Sequence, residues 1–217
     1  MNAVAIILFS VTNSHHTGNL TNSMILFVEG DFEKFIRLIL ILLTFFLGTI
    51  LSGFLFPEQV FQLKRRYGYI QIGSGIAIAV GNSLIKNPWW YMLGTAMILG
   101  MQNGMFVYYK GMIVRTTHMS GNLTDAGLAI GRSLAGRTSE LWKARFQLAN
   151  LGCFLLGALA GATLLLKTDV NIWHVASALY LFLGFVYFLL YHHANYVLTK
   201  NNHLKLNEKH LFDFLNQ

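Results

Sequence analysis

The stretch HHTGNLT at residues 15–21 recurs as HMSGNLT at residues 118–124. Aligned without gaps, the two copies differ outright only at the second position, and the third position exchanges one hydroxyl residue, Thr17, for another, Ser120. A polar heptapeptide that occurs twice in an apolar chain indicates an internal repeat, a design found in many membrane transporters.

The segments on either side of the motif repeat as well. MNAVAII at the beginning of the chain resembles MQNGMFV at 101–107, and each places an Asn, Asn2 or Asn103, early in an apolar run. FFLGTILSG at 45–53 pairs with FLLGALAGA at 154–162. This second pairing aligns Gly48 with Gly157 and Ser52 with Gly161, and small residues at such spacing let two helices approach closely in lipid. The sequence therefore predicts a first repeat at 1–88, a second repeat at 89–193 and a tail at 194–217.

Composition places this repeat in a membrane. Hydrophobic residues make up 54% of the chain and charged residues 12%, with a mean hydropathy of +0.50, whereas soluble domains are about 25% charged. Uncharged runs at 38–56, 67–85, 89–109, 146–166 and 172–191 approach the roughly 20 residues that a helix needs to cross a bilayer. A sixth run, NAVAIILFSVT, is too short to cross and is interpreted as a half-helix or the remainder of a longer first span. The predicted fold is an all-α, polytopic bundle of about six spans.

Charge distribution predicts the orientation, because cytoplasmic loops are enriched in Lys and Arg. With the N-terminus inside, twelve of the 16 basic residues lie on the inner side, and the outer loops hold four: Lys34, Arg37, Lys86 and Lys167. Both termini are therefore expected in the cytoplasm, and the net charge of +7 needs no nucleic-acid partner. Because each repeat has three spans, the second copy enters from the opposite face, which makes an inverted repeat.

The paired motifs, the segment RTTHMSGNLT, the preceding MQNG and the six expected spans resemble the YoaK family of bacterial inner-membrane proteins, a family of unknown function. The resemblance covers nearly the whole chain. It implies a multi-pass inner-membrane protein and supplies no substrate. Members of that family carry extra residues ahead of MNA, so the first span of this chain is expected to be truncated.

The chemistry of the motif suggests a binding site at a helix break. Gly18 and Gly121 would allow a turn with positive φ, and Asn and Thr are good N-caps for the helix that follows. A helix N-terminus favours anions, and nearby His and Arg side chains would reinforce that preference. If the two breaks face each other, they form one site, and its candidate residues are His15, Thr17, Gly18, Asn19, Thr21, Arg115, His118, Ser120, Gly121, Asn122 and Thr124.

Two functions remain open at this point. The first is a transporter-like protein that moves a small anionic or polar solute without ATP. The alternative is a non-transporting membrane scaffold, in which the motifs serve only to pack the helices. Enzyme activity, a cofactor and a metal are not expected, because the chain has no P-loop, HExxH, GxSxG or paired Cys motif. All nine acidic residues fall in connections or tails, which disfavours an acid-based proton relay or a divalent-cation site.

Overall fold

A computed structural model describes residues 1–57, 63–105, 108–109 and 112–215, with side chains for 1–57, 63–105 and 112–197. This part of the chain contains eight α-helices, which confirms the all-α class, and one short hairpin. The elements are α1 (Asn2–Phe9), α2 (His16–Glu29), α3 (Phe32–Leu55), α4 (Arg65–Leu84), α5 (Pro88–Met105), β1 (Tyr108–Tyr109), β2 (Met112–Ile113), α6 (Met119–Leu134), a 3-10 turn (Thr138–Glu140), α7 (Leu141–Lys167) and α8 (Ile172–Leu215).

Three helical segments are long and apolar enough to cross a membrane, namely Phe32–Leu55, Thr138–Lys167 and Ile172–Val197. The chain is therefore a multi-pass membrane protein with at least these three candidate spans. The other predicted crossings coincide with the helices α4 and α5, of 20 and 18 residues. The run predicted at 89–109 was too long, because α5 ends at Met105 and Tyr108–Tyr109 pairs antiparallel with Met112–Ile113. Residues 106–107 of that run lie outside the described residues.

The first apolar run forms α1, a helix of only 8 residues, as its length predicted. It ends at Ser10, which adopts the left-handed conformation with φ 57°. This is the one described non-glycine residue with positive φ, and such a conformation is uncommon outside glycine and asparagine. The chain then turns through residues 11–15 into α2.

Each motif begins the first arm of a helical hairpin. The helix α2 ends at Gly30 with φ 80° and is followed at once by α3, which packs against it. The helix α6 ends in a turn that contains Gly136 with φ 96°, and α7 then packs back along α6. Glycine has no Cβ, so it adopts the left-handed conformation at a helix end without steric cost. This explains why a glycine stands in each of the two turns.

The chain forms two compact units, and the first comprises residues 1–62 and 78–176. Its apolar core joins α1, α3 and α5 through Ala5, Leu38, Ile41, Met92, Leu93 and Ala96. Here α3 and α5 touch backbone to backbone: a Cβ added at Gly48 would overlap the carbonyl oxygen of Met97, and one at Gly100 would overlap that of Phe45. The small-residue seam predicted in the first repeat is thus a real helix contact, and its partner helix α5 belongs to the predicted second repeat.

The corresponding seam of the second repeat differs. Gly157 and Gly161 of α7 have no atom within 4 Å of an added Cβ, and the apolar window of α7 is 0% buried. The small residues predicted there do not form a helix contact within the described chain. The two aligned segments, 45–53 and 154–162, therefore pack differently although their sequences are similar.

The second unit comprises residues 63–77 and 177–217. Within it the Ser177 hydroxyl donates to the Gly75 carbonyl at 2.8 Å, and the Tyr187 hydroxyl donates to the Lys64 carbonyl at 2.8 Å. Close contacts of Gly68 with the Phe188 ring fix the two segments along each other. The side chains of most of the predicted tail lie outside the described residues.

Candidate functional site

The loop between α1 and α2 is held by two asparagines. Asn2 donates through Nδ2 to the Ser14 hydroxyl at 2.7 Å, and its Oδ1 accepts from the Asn13 backbone N–H at 3.1 Å. Asn19, one turn into α2, donates to the Thr12 carbonyl at 2.6 Å, and its Oδ1 accepts from the Thr12 hydroxyl at 3.1 Å. The two asparagines thus form hydrogen bonds with backbone groups of the loop that lie outside any helix or strand and would otherwise lack a partner.

The loop before α6 repeats this pattern. Asn103 donates to the Thr117 hydroxyl at 2.7 Å and accepts from the Thr117 N–H at 3.3 Å. Asn122 donates to the Arg115 carbonyl at 3.4 Å, a bond to the seventh preceding residue, as in the bond from Asn19 to Thr12. Asn150 of α7 donates to the same Arg115 carbonyl at 3.3 Å. The repeated sequence therefore encodes a repeated hydrogen-bond network.

The glycines of the motif do not form the turn. Gly18 and Gly121 lie inside the first turns of α2 and α6 with helical φ, so the prediction of positive φ there was wrong. Helix capping by Asn or Thr was also wrong, because His15 and His118 occupy the N-cap positions and neither makes a side-chain cap bond. The motif asparagines reach back to the preceding loop instead.

The predicted site residues divide into two groups. Asn19 and Asn122 are buried and bonded to the loops, while His15 and Arg115 are half-buried. The others are exposed on the outer surface of the first helical turns, with Thr21 and Thr124 each bonded to the fourth preceding carbonyl: Thr17, Gly18, Thr21, His118, Ser120, Gly121 and Thr124. Of these only His118 belongs to the polar cluster described next.

Three histidines and one arginine bring the two breaks together. His15 stacks on Phe154 of α7 at 5.4 Å between ring centroids, and it lies near enough to the Thr117 backbone for that backbone to raise its pKa against the larger lowering by burial. Arg115 Nη1 lies 3.0 Å from Nδ1 of His118. His16 lies edge-on to Phe45 of α3 at 4.2 Å and is close enough to His15 and His118 for their charges to act on it.

The histidines are held neutral by their surroundings, and all three lie outside the three apolar spans. Burial, and then the charges of His15 and His118, lower the pKa of His16 to about 4. Burial also lowers the pKa of His15 and, with Arg115, that of His118. Desolvation and neighbouring like charges both disfavour the imidazolium form. The cluster is therefore poor in positive charge at neutral pH, apart from Arg115.

Several buried polar atoms have no hydrogen-bond partner. Within the described residues these atoms are Oδ1 of Asn13, Nε2 of His15, both ring nitrogens of His16, Oγ of Ser52, and both amide atoms of Gln147. Gln147 is 1% exposed, and it lies one turn before Asn150 on the same face of α7. Ser52 is 0% exposed and adjoins Gly104 of α5. A buried polar atom without a partner costs about 1–3 kcal/mol, so the three unpartnered ring nitrogens of His15 and His16 point to a functional site.

Sequence reasoning missed Gln147, Ser52 and Asn150. A signal existed in the predicted span at 146–166, where Gln147 and Asn150 are three residues apart, a spacing that puts them on one helix face. Polar side chains inside a span usually face the protein interior. The His16 ring was also missed, because the two motif copies differ at that position.

The described residues of the cluster offer hydrogen-bond donors and no carboxylate. Imidazole, guanidinium and amide groups converge, which suits an anion or a polar solute. No group of three His, Cys, Asp or Glu side chains in the described part of the chain could hold a metal ion.

Comparison with known proteins adds a family. The model of a family described as "Protein of unknown function (DUF1275)" matches residues 1–187. The chain belongs to the DUF1275 family. No curated protein and no solved structure matches the chain. The DUF1275 match confirms the expectation of a family of unknown function, whereas the YoaK resemblance stays a prediction.

The pKa values of the cluster predict how the stability of this DUF1275 protein depends on pH. Because folding lowers the pKa of His15, His16 and His118 below 6.5, the unfolded chain binds more protons in the window between the unfolded and folded pKa values. The melting temperature is therefore expected to fall as the pH drops from about 7 to about 4. In His16→Gln the fall should be smaller, and in the exposed His174→Gln it should match the wild type. Equal slopes in all three proteins would contradict the assignment.

Proposed function

We propose that this chain is an inner-membrane protein of inverted-repeat, transporter-like design that moves a small anionic or polar solute through the polar cluster between the two motif breaks. The observation that carries the proposal is the stacking of the His15 ring on Phe154 of α7 at 5.4 Å between ring centroids, which joins the first break to the second repeat beside unpartnered buried nitrogens. In transporters with inverted repeats, substrate sites form where broken helices of the two halves meet. Six spans with both termini in the cytoplasm fit this design.

The internal correspondence supports the repeat. Asn2 and Asn103 tie the preceding helix to the break, Asn19 and Asn122 tie the following helix to it, and a glycine of positive φ closes each hairpin. In an inverted arrangement the two polar breaks would pack against each other. In lipid the polar groups of each break can form hydrogen bonds only within the protein, so this packing is favourable.

A second candidate, the non-transporting scaffold, is favoured by a specific observation. The amides of Asn19, Asn103 and Asn122 are used by backbone or hydroxyl groups within their own repeat. These side chains therefore explain the repeated motif without any solute. The unpartnered atoms of Gln147 and His16 are what the scaffold leaves unexplained.

Gln147→Met distinguishes the two candidates. Methionine has a similar volume and no amide, so the variant should fold with an equal or higher melting temperature. If the cluster passes solute, uptake into proteoliposomes, measured by light scattering with potassium nitrate, potassium sulfate and glycerol, should fall at least about tenfold.

The matched control is Asn150→Ala, which removes an amide on the same face of α7 that is already bonded to the Arg115 carbonyl. It should lower the melting temperature and reduce flux less than Gln147→Met does. Wild-type vesicles that admit none of the three solutes, together with a more stable Gln147→Met, would favour the scaffold.

A further inference from the structure

The polar cluster combines one permanent cation with titratable rings. Arg115 lies 3.0 Å from His118, and the half-buried His16 ring packs edge-on to Phe45 with both ring nitrogens buried and unpartnered. From this geometry we propose that the site binds a divalent oxyanion, with Arg115 balancing one negative charge and a proton taken up on the His16 ring balancing the other. The inference rests on the proposed function, because it uses the same site.

Few other groups near His16 could balance the second negative charge of the oxyanion. The packed stretches of α3 from Leu38, of α5 and of α7 from Phe146 to Leu166 are uncharged. On α6, Asp125 is exposed, and Arg132 is near Glu140. Among the described residues, the remaining ionisable groups at the breaks are His15, His118, Arg115 and the Met1 amine, whose pKa burial lowers. None of these is a carboxylate, so an anion meets no fixed negative charge there.

The proton balance of the step is simple. A neutral His16 ring takes one proton from water, and the imidazolium then donates an N–H bond to an oxygen of the anion, so that no covalent bond forms or breaks. A negative charge beside the ring favours the imidazolium form and so offsets the burial that disfavours it when it is alone. Proton uptake and anion binding therefore strengthen each other by the same factor.

Sulfate is the appropriate probe, because it carries two charges and is not itself protonated near neutral pH. Calorimetric titration of the full chain in detergent, in buffers of different ionisation enthalpy, counts the protons taken up per sulfate. We expect about one proton per sulfate. The Kd should rise about tenfold per pH unit between the pKa of His16 in the free protein and its higher pKa in the sulfate complex. Nitrate, with one charge, should bind with little proton uptake.

In His16→Gln the proton uptake and the pH dependence of the sulfate Kd should disappear. His174→Gln, which alters an exposed histidine beside Asn82, should leave both unchanged. If His16→Gln does not fold, the number of protons that the wild type takes up per sulfate tests the coupling by itself.

Sulfate bound without proton uptake would overturn the coupling while leaving the proposed function intact. Absence of sulfate binding across the range of about pH 5 to 8 would overturn the ligand class. Failure of the proposed function itself shows up separately, as solute flux that Gln147→Met does not change.

Discussion

Gly48→Ala is expected to lower the free energy of unfolding by about 3 kcal/mol or more, because the new methyl group overlaps the Met97 carbonyl oxygen of the neighbouring helix. Backbone cannot move aside as a flexible side chain can, so α3 and α5 would have to separate. The loss would extend along the apolar core that contains Ile41 and Met92. Thermal or denaturant unfolding in detergent measures the effect.

The matched control is Gly157→Ala at the aligned position of the second repeat. No atom lies within 4 Å of an added Cβ there, so only helix propensity changes, in favour of alanine by up to about 1 kcal/mol. Gly48→Ala should therefore be destabilising and Gly157→Ala neutral or stabilising. Equal destabilisation by both would mean that α7 packs against a helix in the same way as α3 does.

Asn103→Ala is expected to destabilise the protein by about 3 kcal/mol. Asn103 is 6% exposed, and its amide accepts from the Thr117 N–H while donating to the Thr117 hydroxyl. Removing it leaves a buried N–H and hydroxyl without partners, at about 1–3 kcal/mol each. The melting temperature of the variant in detergent checks this expectation.

Thr124→Val is the control for that experiment. Thr124 is exposed, and its hydroxyl bonds only to the Ser120 carbonyl of its own helix, so its loss should change stability by less than about 0.5 kcal/mol. A result in which Asn103→Ala is as mild as Thr124→Val would show that the break does not depend on the asparagine.

The positions of the helices follow closely from the sequence. The uncharged runs predicted at 38–56, 146–166 and 172–191 fall within or almost within α3, α7 and α8. The helices α3 and α7 begin earlier than their runs because charged residues continue the helix, as Glu33 and Arg37 do in α3 by pairing four residues apart. The first charged residue therefore indicates the end of the apolar part of a helix and not the end of the helix itself.

The local structure of the motif could not be read from its residue types. Glycine permits positive φ without requiring it, and Gly18 and Gly121 are helical, while Ser10 adopts the left-handed conformation. The bond from Asn19 back to the Thr12 carbonyl depends on the path of the loop, which the heptapeptide alone does not specify. The unpartnered amide of Gln147 likewise depends on which helices surround it.

The most direct test of the meeting of the two motifs is cross-linking between them. In a Cys153→Ser background, cysteines at His15 and His118 should be joined within one chain by a short bifunctional thiol reagent, because the two histidines lie close enough for their charges to interact. Each single-cysteine variant should give no intramolecular product. Mass spectrometry that finds the 15–118 cross-link would support one shared polar site, and a double variant that links only between chains, or not at all, would contradict it.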